Sequence, residues 1–467
     1  MRILLIDPPF QRFMRFYRYY YPIGLAYLGA ILAKLGHTVE IYDAEHSLET
    51  ETTNWLQAAY SYSEYIVGLQ NINHPIWQEL KNKILVFNPD VIGISMLSVK
   101  VRSAYLVAKI SKDINSNITI IVGADHPTIF PEEVLKNPDI NYVVRGEGEI
   151  TIKEFISHLE DERRLPLDTI KGISYKKNGK IVHNPDRDLI SDINSLPFPA
   201  IYLLNNLETY RPIDLGVILA SRGCPYKCSF CGVSSIWTRR IRYRSLRNVF
   251  IEMKGLNANY GTDYFSFRDA SFTLSRRRTI LLCEKIIREN FRIQWECLTR
   301  ADLLDEEVVT LMKKSGCTTI RIGIESGSEE ILKDMNKSID LDRVRSVAKL
   351  LNKYNFNWSA YFLFGTPRET RETISTTLKL IEEIDPPFVT IARYAPIPGT
   401  KMYNDLINAK LISPSIDWSF ESNQRLKTNY VYSMSENEFE DVMRDVARYI
   451  EDRNRVNKFG VRDARLR

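Results

Sequence analysis

Along the first 150 residues, short apolar runs rich in β-branched residues alternate with stretches whose apolar positions recur at helical spacing. The runs at residues 2–6, 38–42, 91–95, 118–122 and 141–144 read as strands. Between them, residues 24–35 predict a helix closed by Gly36 as its C-cap, and residues 99–113 predict another. Strands alternating with helices in this way predict a doubly wound parallel sheet of Rossmann-like type. Each strand runs into loop-forming residues: Asp7-Pro8-Pro9, Asp43, Ser95-Met96, Gly123-Ala124-Asp125-His126 and Arg145-Gly146-Glu147-Gly148-Glu149. Sheets of this kind bind ligands outside the carboxyl ends of their strands.

The pattern then changes. Residues 173–175 and 180–182 flank Asn178-Gly179, a hairpin signal, and Leu196-Pro197-Phe198-Pro199 is a stiff extended link. A second strand-helix series starts at Gly216, with strands predicted at residues 216–220, 263–267, 293–298, 318–324, 357–364 and 388–394. Six such units imply a partial parallel barrel, a (β/α)6 relative of the TIM barrel, with its chemistry at the strand C-termini. From residue 413 the chain is mixed, and residues 436–454 form a polar amphipathic helical pattern. The α/β chain therefore divides into a Rossmann-like domain at 1–160, a connector with a hairpin at 161–209, a partial barrel at 210–412 and a helical cap at 413–467.

Composition sharpens this little. A chain of 467 residues with 44% hydrophobic content is long enough for two or three domains with cores of their own. The formal charge of +5 is small and its signs are interspersed, which gives no electrostatic case for nucleic acid. The N-terminal apolar run is too short for a signal peptide, and no apolar run approaches the roughly 18 residues of a spanning helix. A soluble, cytoplasmic protein is expected. Six cysteines, three of them in one motif, fit a reducing compartment better than a disulfide framework.

That motif is Ser221-Arg222-Gly223-Cys224-Pro225-Tyr226-Lys227-Cys228-Ser229-Phe230-Cys231-Gly232, three thiols spaced C-x3-C-x2-C directly after the first barrel strand. A structural zinc site takes four protein ligands, and no fourth Cys or His is near in sequence. Three thiolates on a 4Fe-4S cluster leave one iron open to bind and reduce a small molecule. Cys283, Cys297 and Cys317 are scattered and read as small buried hydrophobes. The other strand ends carry Arg268-Asp269-Ala270-Ser271, Thr299-Arg300, Gly323-Ile324-Glu325-Ser326-Gly327, Phe364-Gly365-Thr366-Pro367 and Tyr394-Ala395-Pro396-Ile397-Pro398-Gly399-Thr400. Carboxylates there can accept from an ammonium or ribose hydroxyls, and arginine can pair with a carboxylate.

The cysteine spacing, with Phe230 before the third thiol and Gly232 after it, resembles the cluster motif of the radical S-adenosylmethionine superfamily. The Gly-Ile-Glu-Ser-Gly and Pro-Gly-Thr runs are similar to that family as well. The resemblance implies a 4Fe-4S cluster on Cys224, Cys228 and Cys231 and S-adenosylmethionine on its open iron, cleaved by one electron to a 5'-deoxyadenosyl radical. It implies that Glu325 and Ser326 contact S-adenosylmethionine, with Asp269 near its amino end and Phe230 near the adenine, while Arg300, by its own chemistry at the third strand end, is a candidate partner for the cofactor's carboxylate.

The first domain resembles the cobalamin-binding domain that precedes the barrel in one large branch of this family. The resemblance rests on Pro8-Pro9, residues 22–28, residues 90–95, residues 122–128 and Gly146-Glu147-Gly148-Glu149. It implies that Ser95, Gly123 and Gly146 line a groove for the nucleotide tail, with Asp125 and Glu147 close by. No histidine is preceded by aspartate two residues earlier, so the Asp-x-His-x-x-Gly cobalt-ligand motif is absent, as in many members of that branch. The lower axial position is then empty, water-bound or filled from elsewhere. His74 has two readings, a group facing the corrin or, better, an ordinary loop or helix-cap histidine. No histidine follows His183, so the barrel has no imidazole base, and no catalytic residue is assigned.

Two basic clusters remain. Residues 10–21 interleave Arg12, Arg15 and Arg18 with aromatic rings, and read as a packing loop ahead of a substrate or corrin contact. Arg239, Arg240, Arg242 and Arg244 read as a solvated face ahead of an anionic anchor. The expected activity, by resemblance, is anaerobic methylation of an unactivated carbon of a small-molecule or lipid-like substrate. One S-adenosylmethionine methylates cobalt, a second yields the radical, and the substrate radical takes the methyl group. Radical cyclisation or rearrangement with cobalamin is the alternative, and an iron-sulfur electron carrier or redox sensor is the alternative of another class. Expected partners are the small-molecule substrate and a reductant such as flavodoxin or ferredoxin, and the chain is expected to be a monomer.

Overall fold

Ile3, Leu4, Leu5 and Ile6 are almost wholly buried, as expected of a central parallel strand covered on both faces. In the computed structural model they form β1 (Arg2–Asp7), flanked by β2 (Thr38–Asp43) and β3 (Val91–Ser95), with β4 (Thr119–Gly123) and β5 (Tyr142–Val144) beyond. The structure describes residues 1–16, 20–49, 55–163, 165–413, 416–423, 425, 428 and 430–456. Arg18 of the basic aromatic segment lies outside them.

Strands β1 to β5 are parallel, in sheet order β2-β1-β3-β4-β5. The residues expected as a connector carry β6 (Ile173–Lys177) and β7 (Lys180–His183), which pair antiparallel onto β5 and make the sheet seven-stranded. The hairpin is there because Asn178 and Gly179 both take the left-handed φ values, 52° and 75°, that a two-residue turn needs.

The second sheet is six-stranded and wholly parallel, in the order β15-β14-β13-β12-β11-β8, and it is open because β15 does not pair with β8. Its strands are β8 (Val217–Ile218), β11 (Tyr264–Phe267), β12 (Gln294–Thr299), β13 (Cys317–Glu325), β14 (Asn357–Phe364) and β15 (Phe388–Arg393). Between β8 and β11 lies a small antiparallel pair, β9 (Ser221–Arg222) and β10 (Arg242–Tyr243). The first barrel strand is thus shorter than its apolar run, since the chain leaves the ladder before Ser221 to start β9. Helix Glu436–Val456 covers the exposed edge: the Asn454 side chain bonds both the N–H and the C=O of Val389 on β15.

The chain forms two compact units. The first is Met1–Arg211 with Ser235–Trp237 and Ile416–Ser422, and the second is Pro212–Ser234, Thr238–Ser415 and Asn423–Arg467. Within the first, Trp418 packs on His126 and Phe130 at ring separations of 5.4 and 5.7 Å. No helix among the described residues is long and apolar enough to cross a membrane.

Candidate functional site

Gly223 opens the cysteine loop at φ 95°, and a Cβ there would stand 2.3 Å from the carbonyl oxygen of Arg240, so only glycine fits. From below, Asp269 at the end of β11 accepts the N–H of Ala220 at 3.1 Å and the hydroxyl of Ser221. From the side, Ser229 donates its N–H to Met335 O at 2.8 Å and its hydroxyl to Asp334 O at 3.1 Å, and Asn336 donates to Lys227 O at 2.8 Å. Met402 donates its N–H to Ser229 O at 2.9 Å.

Held in this way, Cys224, Cys228 and Cys231 are free and partly exposed. Burial pushes the thiols of Cys228 and Cys231 up, and the neighbouring sulfurs add to it, Cys224 at Cys228 and both Cys228 and Cys224 at Cys231. The N–H of Val233, together with the ammonium of Lys337, pulls Cys231 back down. Among the described residues no three donors converge tightly enough for a single metal ion. Three free thiols on one short loop are a donor set suited to a multi-iron cluster, in which each iron takes its own thiolate.

The remaining barrel residues gather around this loop in different ways. Glu325 ends β13 at φ 74°, beyond a register shift after Gly323, and its carboxylate pairs with Lys337 Nζ at 2.7 Å. Phe230 lies with its ring centre 6.0 Å from the same ammonium. Arg300 is buried: it bonds Asp302 at 2.9 and 3.1 Å and the carbonyls of Lys337 and Ser338 at 3.0 and 2.6 Å, and it stacks 3.8 Å over the Tyr226 ring. Ser326 is fully buried, with its hydroxyl 3.2 Å from that of Thr377 and accepting the N–H of Ser328. Asp269 is likewise buried with both oxygens bonded, and burial raises its carboxyl to about 6. Phe230, Arg300 and Glu325 therefore meet at the loop, while Asp269 and Ser326 bond protein groups behind it.

Sequence reading missed Lys337, which follows a helix and not a strand, and a polar layer inside the barrel. There Glu296 accepts from Tyr264 at 3.0 Å, Ser266 at 2.6 Å and Arg321 at 2.7 Å, and Arg321 reaches the Tyr361 hydroxyl at 3.4 Å. Burial pushes Tyr361 up, yet the guanidiniums of Arg321 and Arg268 outweigh it and hold the phenol below its usual range. The signal was a charged residue in the middle of each of two apolar strands.

In the first unit, Ser95 and Gly123 are register partners on β3 and β4, and Gly146 follows the neighbouring β5. Gly123 accepts the N–H of Met96 at 2.8 Å, and Thr128 joins Ala124 O at 2.6 Å to the N–H of Gly146 at 3.0 Å. Gly146 has φ 70° and open space where a Cβ would stand, at the carboxyl end of the sheet, the side on which such sheets bind ligands. Asp125 accepts the N–H of His126 at 2.8 Å, and burial raises its carboxyl. Glu147 is buried and accepts the N–H of Ile190 at 2.8 Å. His74 is a helix cap, accepting the N–H of Ile76 at 3.3 Å. A buried ion network was not foreseen: Lys100 after β3 bonds Asp7 at the end of β1 and Glu45 after β2, each at 2.8 Å.

The chain is thus an α/β protein with an open parallel half-barrel that carries three free thiols past its first strand, and a largely parallel doubly wound sheet ahead of it in the chain. Residues 218–381 match the Radical SAM superfamily and residues 14–156 the B12 binding domain. An uncharacterised methyltransferase of Pyrococcus horikoshii is 33% identical over 419 residues, 88% of this chain and 84% of that protein. An anaerobic magnesium-protoporphyrin IX monomethyl ester cyclase of Rubrivivax gelatinosus is 28% identical over 335 residues, 70% of this chain and 60% of the cyclase. The solved radical S-adenosylmethionine methyltransferase TsrM of Kitasatospora setae superposes with a TM-score of 0.68 at 19% identity, over 88% of this chain and 76% of that one, a likeness of fold. The chain belongs to the radical SAM superfamily, with a B12-binding domain ahead of its barrel. Its cofactors are accordingly a 4Fe-4S cluster, S-adenosylmethionine and cobalamin.

Proposed function

We propose that the chain is a methyltransferase acting on an unactivated carbon of a small-molecule or lipid-like substrate. The observation that carries this reading is the loop of three partly exposed thiols, clamped from β11 and from residues 334–338, in a chain similar to a methyltransferase over most of its length. When bound, the cluster with S-adenosylmethionine supplies a 5'-deoxyadenosyl radical and cobalamin a transferable methyl group.

Cys224, Cys228 and Cys231 hold the cluster. Glu325 takes the ribose or ammonium of S-adenosylmethionine, Phe230 flanks its adenine and Arg300 fixes the wall of that site, while Asp269 and Ser326 act from behind by holding the loops. Ser95, Gly123 and Gly146 line the cobalamin tail groove, Asp125 adds a polar edge and Glu147 anchors the loop after β5. On this reading residues 1–160 are the cobalamin domain, 161–209 an extension of it, 210–412 the barrel and 413–467 a helical cap. The enzyme is a cytoplasmic monomer served by a low-potential flavodoxin or ferredoxin.

Radical cyclisation or rearrangement is the second reading, supported by the likeness to the Rubrivivax gelatinosus cyclase. Anaerobic reconstitution with cobalamin, reductant and methyl-labelled S-adenosylmethionine separates the two. Methylcobalamin and 5'-deoxyadenosine together support methylation. Deoxyadenosine without label transfer supports cyclisation, and neither product from a cluster-loaded chain rejects both.

A further inference from the structure

Residues 335–338 follow helix Glu329–Asp334, and Asn336 and Ser338 take left-handed φ values of 49° and 46°. Ser229 and Asn336 tie these residues to the cysteine loop, and Arg300 holds the carbonyls of Lys337 and Ser338. The backbone around Lys337 is thereby fixed on both sides. Its side chain is only 8% exposed, and its ammonium meets the Glu325 carboxylate at 2.7 Å. Burying an ammonium is costly unless charge partners surround it. The Glu325 carboxylate answers it on one side, and on the other stands the cysteine loop: the Phe230 ring centre, one residue before Cys231, is 6.0 Å from the ammonium, and Met335 and Asn336 beside Lys337 bond Ser229 and Lys227, the neighbours of Cys228.

We propose that Lys337 is a positioning residue of the iron-sulfur site, its fixed ammonium compensating the thiolate-held cluster and raising that cluster's reduction potential. This rests on the reading of Cys224, Cys228 and Cys231 as cluster ligands. A thiolate-held cluster is anionic, and one electron from a low-potential protein donor makes it more so, with no bond made or broken and no proton moved. A buried cation nearby favours the reduced state, and charges around a cluster are one of the protein's means of setting its potential.

The test is an EPR-monitored redox titration of the anaerobically reconstituted full-length chain, with iron and sulfide assayed, in wild type, K337R, K337Q and E325Q. K337R should keep the wild-type midpoint, K337Q should move to a more negative one, and E325Q, which leaves the ammonium uncompensated, to a more positive one. A Lys337 that only braced the loop would lower cluster content without moving the midpoint. K337Q with full cluster and a wild-type midpoint overturns the proposal. If K337Q assembles no cluster, an unmoved midpoint in E325Q overturns it instead. A wild-type chain that takes up no cluster, or a C228A chain that keeps one, refutes the assignment of the thiols, a separate failure.

Discussion

Asp269 accepts the hydroxyl of Ser221, so the end of the second barrel strand grips the chain three residues before the first thiol of the cluster loop. The same carboxylate takes the N–H of Ala220 at 3.1 Å. In D269A both donors stay buried without an acceptor, at about 1–3 kcal/mol each. The expected outcome is a drop in iron bound after reconstitution, measured by iron assay, while D269N retains more. Burial raises this carboxyl from 3.8 to about 6, so the native state holds its proton more tightly than the unfolded chain does. Its contribution to stability is therefore full below pH 3.8 and lost as pH rises through 6, and D269N should remove that part of the pH dependence.

At the loop's first turn the constraint is steric. Gly223→Ala puts a methyl group 2.3 Å from the Arg240 carbonyl oxygen at φ 95°, where backbone has to move. Cluster uptake should fall at least tenfold with helix content unchanged by circular dichroism. Normal iron content in G223A would mean that the loop is looser than the structure has it.

The fold was legible where burial on both faces imposes a continuous apolar run. β14 is residues 357–364 as expected, and β1 differs from expectation by one residue. β8 was overread, because Gly216 to Ala220 are apolar for packing while only Val217 and Ile218 enter the ladder. At the site, the grouping of the three thiols on one loop was legible from their spacing alone, since a short loop keeps close neighbours in sequence close in space. Lys337 was not: its meaning comes from a left-handed loop stitched to residues about 109 positions earlier, which periodicity does not report. Lys100 is hidden for the same reason, being joined to Asp7 across 93 positions.

Gly323 lets the Glu325 carboxylate fold back along β13. A Cβ there would stand 2.6 Å from Glu325 Oε1 and 3.2 Å from Lys337 Nζ. Gly323→Ala should displace this pair and weaken S-adenosylmethionine binding about tenfold, read by equilibrium dialysis on cluster-loaded protein. Unchanged affinity would argue against Glu325 as a contact.

His74 caps helix Pro75–Phe87 through Nδ1, and its ring lies 5.0 Å from that of Phe13. Asparagine caps equally well. H74N should therefore keep both stability and the visible spectrum of bound cobalamin, whereas H74A should lose about 1 kcal/mol in urea unfolding with the spectrum unchanged. A spectral change in H74N would instead make His74 a corrin contact.

Glu369 is fully buried in the turn after β14; one oxygen accepts the N–H of Gly365, and the other has no hydrogen-bond partner among the described residues. Burial raises the carboxyl from 4.5 to about 8, against the pull of the Gly365 and Thr366 backbone N–H groups. A native state that prefers the protonated form is most stable, for this group, below pH 4.5, and loses that contribution as pH rises through 8. Stability should thus fall by about 1.4 kcal/mol per pH unit between these limits. Glutamine keeps the shape and carries no charge, so E369Q should be flatter from pH 5.5 to 8 and the more stable of the two at pH 8. E369A should be destabilised at every pH, because it leaves a cavity and an unpaired Gly365 N–H. Urea unfolding of the three chains at several pH values checks this, and identical slopes for wild type and E369Q would show that Glu369 is ionised in the folded protein throughout that range.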